Sequence, residues 1–285
     1  MTDTKIRRAF VSLDEGQLHL RIWDGDKNII PIILLHASPA SSWFMQDMMR
    51  ELVEAGFRGS IIAPDTLGNG DSDVPSPETP DIPYFADSIK RMMAELGLDK
   101  AHIYGTHTGA RIACEFGVAF PENTGTVMLD GITEYEDELR EQIIANYAPK
   151  VEPDEYGRHL TWAFNFCRDQ ALYFPHFLKT PENRLSVPMP PPEILHRITL
   201  DVLKALDSYS KPYLAAFNYR AFERMPELNA PTLLLKPEGE LPTLKAAVET
   251  ALDLLPCGEI VSIAPGPGLK ASAIAAFIDR NIDPA

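Results

Sequence analysis

Short runs of branched aliphatic residues recur along the chain, separated by amphipathic stretches. Residues 29–35 are almost wholly aliphatic with one proline, and similar runs stand at 60–63, 101–104, 126–129, 232–235 and 259–263. Runs this short and this apolar fit strands buried on both faces, as in a parallel sheet. Residues 18–23 instead alternate apolar and polar, the pattern of a half-buried antiparallel strand. Between the runs, residues 42–55, 84–96, 110–119, 244–254 and 271–282 carry apolar positions three and four apart, which predicts helices. Strand and helix therefore alternate. The alternation predicts an α/β fold, a mainly parallel sheet of about eight strands flanked by helices and joined by right-handed crossovers.

The rhythm breaks between about 132 and 225, where the text is helical and aromatic-rich around the proline-dense 187–192. Because the break falls after one core strand and before the next, it predicts a helical lid inserted at 132–225 into a core made of 1–131 and 226–285. A length of 285 residues suits one such domain with its insertion.

Composition narrows the partners. A net charge of −15 and a pI near 4.9, with no local basic cluster, disfavour nucleic acid and anionic lipid. No apolar stretch is long enough to span a bilayer, and the first residues lack a signal-peptide core. Cys114, Cys167 and Cys257 are odd in number and scattered, which predicts neither a disulfide framework nor a metal site and favours a cytoplasmic protein. Nothing in the sequence fixes the oligomeric state.

Three strand ends carry unusual loops, and open parallel sheets bind ligands there. They are His36-Ala37-Ser38-Pro39, the run from Pro64 to Ser72 containing Gly68 and Gly70, and Gly105-Thr106-His107-Thr108-Gly109. The last has the spacing of a strand–turn–helix elbow whose middle residue, His107, projects from the sheet at a helix N-terminus.

These motifs resemble the α/β-hydrolase superfamily, and within it the branch of haloalkane and haloacetate dehalogenases and epoxide hydrolases. The resemblance implies an α/β-hydrolase fold and places His107 where the family carries aspartate or serine. It implies an acid at Asp130 or, at the alternative strand end, Glu240. It implies a base in the Pro265-Gly266-Pro267-Gly268-Leu269 loop, where Leu269 replaces the usual histidine. His36 is implied to organise the oxyanion loop. Backbone N–H groups of Ser38 and Thr108 would hold an oxyanion.

In the predicted lid, His159, Trp162 and Arg168 suit the wall of a small-molecule pocket, although Arg168 beside Asp169 also reads as an internal ion pair. No cofactor and no metal are indicated. Two readings of the whole stay open. In one, His107 is base or nucleophile of a hydrolase, lyase or isomerase acting on a small carbonyl- or ester-like compound. In the other, the chain is an inert ligand- or partner-binding relative that kept the pocket.

Overall fold

A computed structural model describes residues 6–238, 242–264 and 268–281. Eight strands form one sheet in the order β1-β2-β4-β3-β5-β6-β7-β8. β1 (Arg7–Leu13) and β2 (Gly16–Trp23) are an antiparallel hairpin, and β2 runs antiparallel to β4 (Ile61–Pro64). From β4 onward, β3 (Ile32–Leu35), β5 (Ala101–Thr106), β6 (Thr124–Asp130), β7 (Thr232–Pro237) and β8 (Gly258–Ile263) are all parallel. The chain thus has the doubly covered, mainly parallel sheet that its hydrophobic runs predict.

β1 escapes the sequence pattern. Ala9, Val11 and Leu13 face the core, but the outward Phe10 is 49% exposed and hides the alternation. At β3 the apolar run starts at Ile29, whereas pairing starts only at Ile32. Pro31 has no N–H to give a ladder, and its carbonyl instead accepts the His102 N–H.

Helices close both faces. α1 (Gln46–Glu54) and the last helix, Leu269–Arg280, pack on one side around Met49, Leu52, Ile274 and Phe277. α2 (Ile82–Glu95) and α3 (Thr108–Ala119) pack on the other around Phe85, Met92, Ile112 and Phe116. Each fully buried side chain of this size contributes about 1.5–3 kcal/mol, so the two layers hold the sheet rigidly.

β6 and β7 are neighbours in the sheet, yet five helices lie between them in sequence: α4 (Asp137–Asn146), α5 (Arg158–Leu172), α6 (Pro192–Lys204), α7 (Ser210–Asn218) and α8 (Ala221–Arg224). They enclose an apolar cluster of their own around Tyr147, Phe166, Tyr209 and Phe217. After β7 come α9 (Pro242–Leu254), β8 and α10 (Leu269–Arg280). Among the described residues no helix is long and apolar enough to cross a membrane.

Candidate active site

The site is built first from backbone. β5 ends at Thr106 and α3 begins at Thr108, leaving His107 alone at the apex with φ 49° and ψ −104°. It is the one non-glycine residue at positive φ among those described, a conformation worth roughly 1–3 kcal/mol of strain. Two glycines make the turn possible by close approach. A Cβ on Gly105 would lie 2.0 Å from the Gly109 carbonyl oxygen, and one on Gly109 would lie 2.2 Å from that of Leu35. Strand pairing completes the turn, because the His107 N–H donates to the Asp130 carbonyl at 2.8 Å.

The His107 imidazole is exposed, and no hydrogen bond to it is found among the described residues. It rests on Gly131, where a Cβ would lie 2.7 Å from both Cε1 and Nδ1 of the ring. Gly131 itself sits at φ 75°. Only glycine leaves room for this ring and accepts that backbone.

His107, Ser38 and Thr108 line one cavity of about 350 Å³. Thr108 opens α3, so its N–H has no acceptor within the helix and points, with the helix dipole, toward this space. The Ser38 hydroxyl is buried and unpartnered. Tyr147, Phe174, Tyr213 and Phe217 form the apolar roof, and Gln170, whose side-chain oxygen accepts from the Tyr213 hydroxyl at 2.6 Å, adds a polar point.

His36 does not line the cavity. Its Nε2 accepts the Thr66 N–H at 2.9 Å while Nδ1 donates to the Ala37 carbonyl at 3.0 Å, so it ties the loops after β3 and β4 together. Asp65, also buried, takes the N–H groups of Ser42 and Asp71 and the Nδ1 proton of His19. Despite burial, these bonds hold its carboxyl well below the usual range. His19, Asp65 and Asp71 come close enough together to hold a cation. Arg8 and Lys204 already supply that positive charge, Arg8 to His19 and Asp71 and Lys204 to Asp71, and the cluster is an ionic brace.

Asp130 lies at the end of β6, 3% exposed. Its Oδ2 accepts from the Tyr104 hydroxyl at 2.8 Å and from the Lys270 ammonium at 2.6 Å. Leu269, at the position where the resemblance implies a histidine, opens α10 and is 43% exposed. The acid position is therefore occupied, but its partner is a lysine one residue along. Glu240, the alternative acid, lies outside the described residues.

A family model described as alpha/beta hydrolase fold matches residues 30–159. The crystal structure of epoxide hydrolase A from Mycobacterium thermoresistibile superposes with a TM-score of 0.73 over 96% of this chain and 98% of that one, at 16% identity. The chain has the α/β-hydrolase fold. It is also 34% identical over 103 residues to a 2-hydroxy-6-oxo-6-phenylhexa-2,4-dienoate hydrolase of Burkholderia cepacia, covering 35% of each chain. To a haloalkane dehalogenase of Mycobacterium marinum it is 34% identical over 110 residues, covering 35% of this chain and 36% of that protein. The chain thus matches only about a third of the length of these two curated relatives.

Within this α/β-hydrolase fold, the sequence reading missed Arg111. It lies one helical turn after His107, lines the same cavity and is only 5% exposed. Its guanidinium reaches only carbonyls, His107 at 3.2 Å and Thr133 at 2.6 Å, and its Nε is unpartnered. No carboxylate among the described residues pairs with it, and burial pulls its pKa down. Arg224 shows the contrast, since it meets the buried Glu115 directly. The signal was in the sequence: α3 is otherwise mostly small or apolar, and the spacing to His107 puts both on one face.

The three residues from α5 that the sequence grouped with the site lie elsewhere. Trp162 stacks on Phe166 and lines a separate cleft with Asp169 and His176. His159 accepts the Asp154 N–H through Nδ1. Arg168 pairs with Asp169 at 2.6 Å, the ion-pair alternative. None of the three lines the His107 cavity. Composition fixed the aromatic character of the wall, but only packing decides which face of α5 turns inward. Tyr135, Gln170 and Phe174 take the expected places.

Proposed function

We propose that the chain is an enzyme acting on a small carboxylate that carries a carbonyl group, with His107 as the proton-transferring base. One observation carries this reading. A strained, exposed imidazole shares a cavity with a buried arginine that no carboxylate among the described residues pairs with. A buried guanidinium without a counter-ion is costly, and an incoming carboxylate supplies the missing charge in a two-point contact.

With the carboxylate at Arg111, the carbonyl falls near the N–H groups of Thr108 and Ser38, and the adjacent C–H faces His107. The imidazole removes that proton, and the electron pair moves onto the carbonyl oxygen as an enolate that the N–H groups stabilise. The imidazolium then returns the proton to another atom or to a departing group. One proton-carrying residue suffices for this cycle. A covalent hydrolysis needs a second base to activate water, and Leu269 cannot provide one. The helices between β6 and β7 roof the site and, on this reading, act as a lid. The relatives named as dienoate hydrolases also act on carboxylates by their names, which supports the substrate class.

A second reading rests on the same imidazole. A base is usually oriented by a partner on its other nitrogen, and His107 has none among the described residues. A pocket that only binds an anion has no need of one.

Proton NMR in heavy water over a panel of 2-oxo carboxylates tests the choice. The account expects exchange of the hydrogen next to the carbonyl with the native protein, and none above background with His107→Ala or Arg111→Met. Binding without exchange across the panel would leave the second reading standing.

A further inference from the structure

The segment after β6 wraps the candidate site residue by residue. The Asp130 carbonyl takes the His107 N–H, Gly131 supports the His107 ring, and the Thr133 carbonyl takes Arg111. Two carboxylates belong to this segment, Asp130 and Glu134, and both are tied to cations that do not line the cavity. Asp130 meets Lys270 at 2.6 Å, with the carboxylate side chain 4% and the lysine 33% exposed. Glu134 accepts the Phe222 N–H at 2.6 Å and pairs with Arg220 at 3.7 Å. In a chain with a net charge of −15, no carboxylate among the described residues pairs directly with the Arg111 guanidinium, and Glu134 acts on it only at longer range.

We propose that Lys270 is a positioning residue for anion binding: by neutralising Asp130 it removes the charge that would repel a carboxylate held at Arg111. The inference rests on the reading of that cavity as a carboxylate site. Lys270 follows Leu269 at the start of α10, and its side chain crosses to the acid position that a histidine at 269 would serve. The buried acid therefore keeps a partner, but an ammonium in place of an imidazole. Its ammonium sets a positive charge against the acid at 2.6 Å.

Without the ammonium, the Asp130 side chain would keep the Tyr104 hydroxyl as its partner among the described residues and would stand as a buried charge on the residue whose carbonyl takes the His107 N–H. Two like charges across a low-dielectric gap repel strongly, because little water screens them. Removing Asp130 together with Lys270 should abolish the repulsion at its source. A lysine that touched the ligand directly would give a different result, since deleting Asp130 could not replace it.

Calorimetric titration with phenylpyruvate and with its neutral methyl ester separates these roles, using the full chain throughout. For the native protein we expect a clear preference for the acid. Lys270→Met should weaken phenylpyruvate by about tenfold or more and leave the ester unchanged. Lys270→Arg should stay close to native, and the Asp130→Asn/Lys270→Met double variant should recover most of the lost affinity. Equal loss for acid and ester would overturn the proposal in favour of a purely structural pair. So would a double variant as weak as Lys270→Met. A native protein without preference for the acid would sink the carboxylate reading and this inference together, whereas a native preference that survives in Lys270→Met would sink this inference alone.

Discussion

The strand ends around His107 divide into two halves that differ in what they preserve. On the side of β3, β4 and β5 the backbone is set by glycine contacts at 105 and 109 and by a brace of His36 and Asp65. On the side of β6 and β8 the positions are occupied by side chains of different chemistry, Asp130 facing Lys270 and Leu269 facing outward. The first half is geometry, and it tolerates a change of apex residue because the turn is made by backbone. The second half is where the resemblance implies a proton relay, and such a relay depends on side-chain identity.

The sharpest way to break this comparison is at the apex. His107→Ala should lower turnover of a responsive 2-oxo carboxylate by about two to four orders of magnitude, the usual worth of a positioned proton-transfer group. The melting temperature should scarcely move, since the ring is exposed and makes no hydrogen bond among the described residues. Steady-state kinetics and a thermal melt on one preparation read both. Unchanged turnover would put the chemistry elsewhere.

Next in size is the turn itself. Gly109→Ala would place a methyl 2.2 Å from the Leu35 carbonyl oxygen, which is backbone and cannot swing aside. We expect a loss of roughly 3 kcal/mol or more, readable by urea denaturation, as for other severe clashes. A loss under about 1 kcal/mol would show that the elbow is not rigid.

The brace should show itself as acid sensitivity. The Asp65 carboxyl is depressed below its usual value in the folded chain, so its contribution is complete at neutral pH, above the ordinary carboxylate range. It is lost as pH falls through that range toward the depressed value. Asp65→Asn should therefore cost stability at pH 7 and lessen the further loss on going toward pH 3. Parallel stability curves for the two proteins would contradict this.

The smallest effect is expected from restoring one member of the relay. Leu269→His returns an imidazole to the position implied by the resemblance, but Asp130 is engaged by Lys270 and position 107 is not a serine or aspartate. Ester and haloacid hydrolysis should stay at background. Robust hydrolysis in this single variant would show that the nucleophile has been misassigned.

Much of the geometric half was legible in the sequence, because glycine spacing and buried aliphatic runs report backbone constraints directly. The parallel strands, the elbow and the apex at His107 all follow from such local signals. The β1 edge did not, since Phe10 points outward and blurs its alternation. Arg111 stands two residues past the elbow motif, but its meaning lies in having no paired carboxylate among the described residues, which only packing reveals. Lys270 was hidden for a related reason: its pairing with Asp130 spans 140 positions in sequence. The α5 residues show the reverse error, where suitable chemistry at 159, 162 and 168 does not line the cavity.

A crystal structure of the native protein with phenylpyruvate tests the central claim most directly. The account predicts the carboxylate against the Arg111 guanidinium, the keto oxygen within hydrogen-bond reach of the Thr108 N–H, and an imidazole nitrogen of His107 facing the adjacent carbon. A ligand bound in the cavity with its carboxylate turned away from Arg111, or with its reacting carbon out of reach of His107, would contradict it.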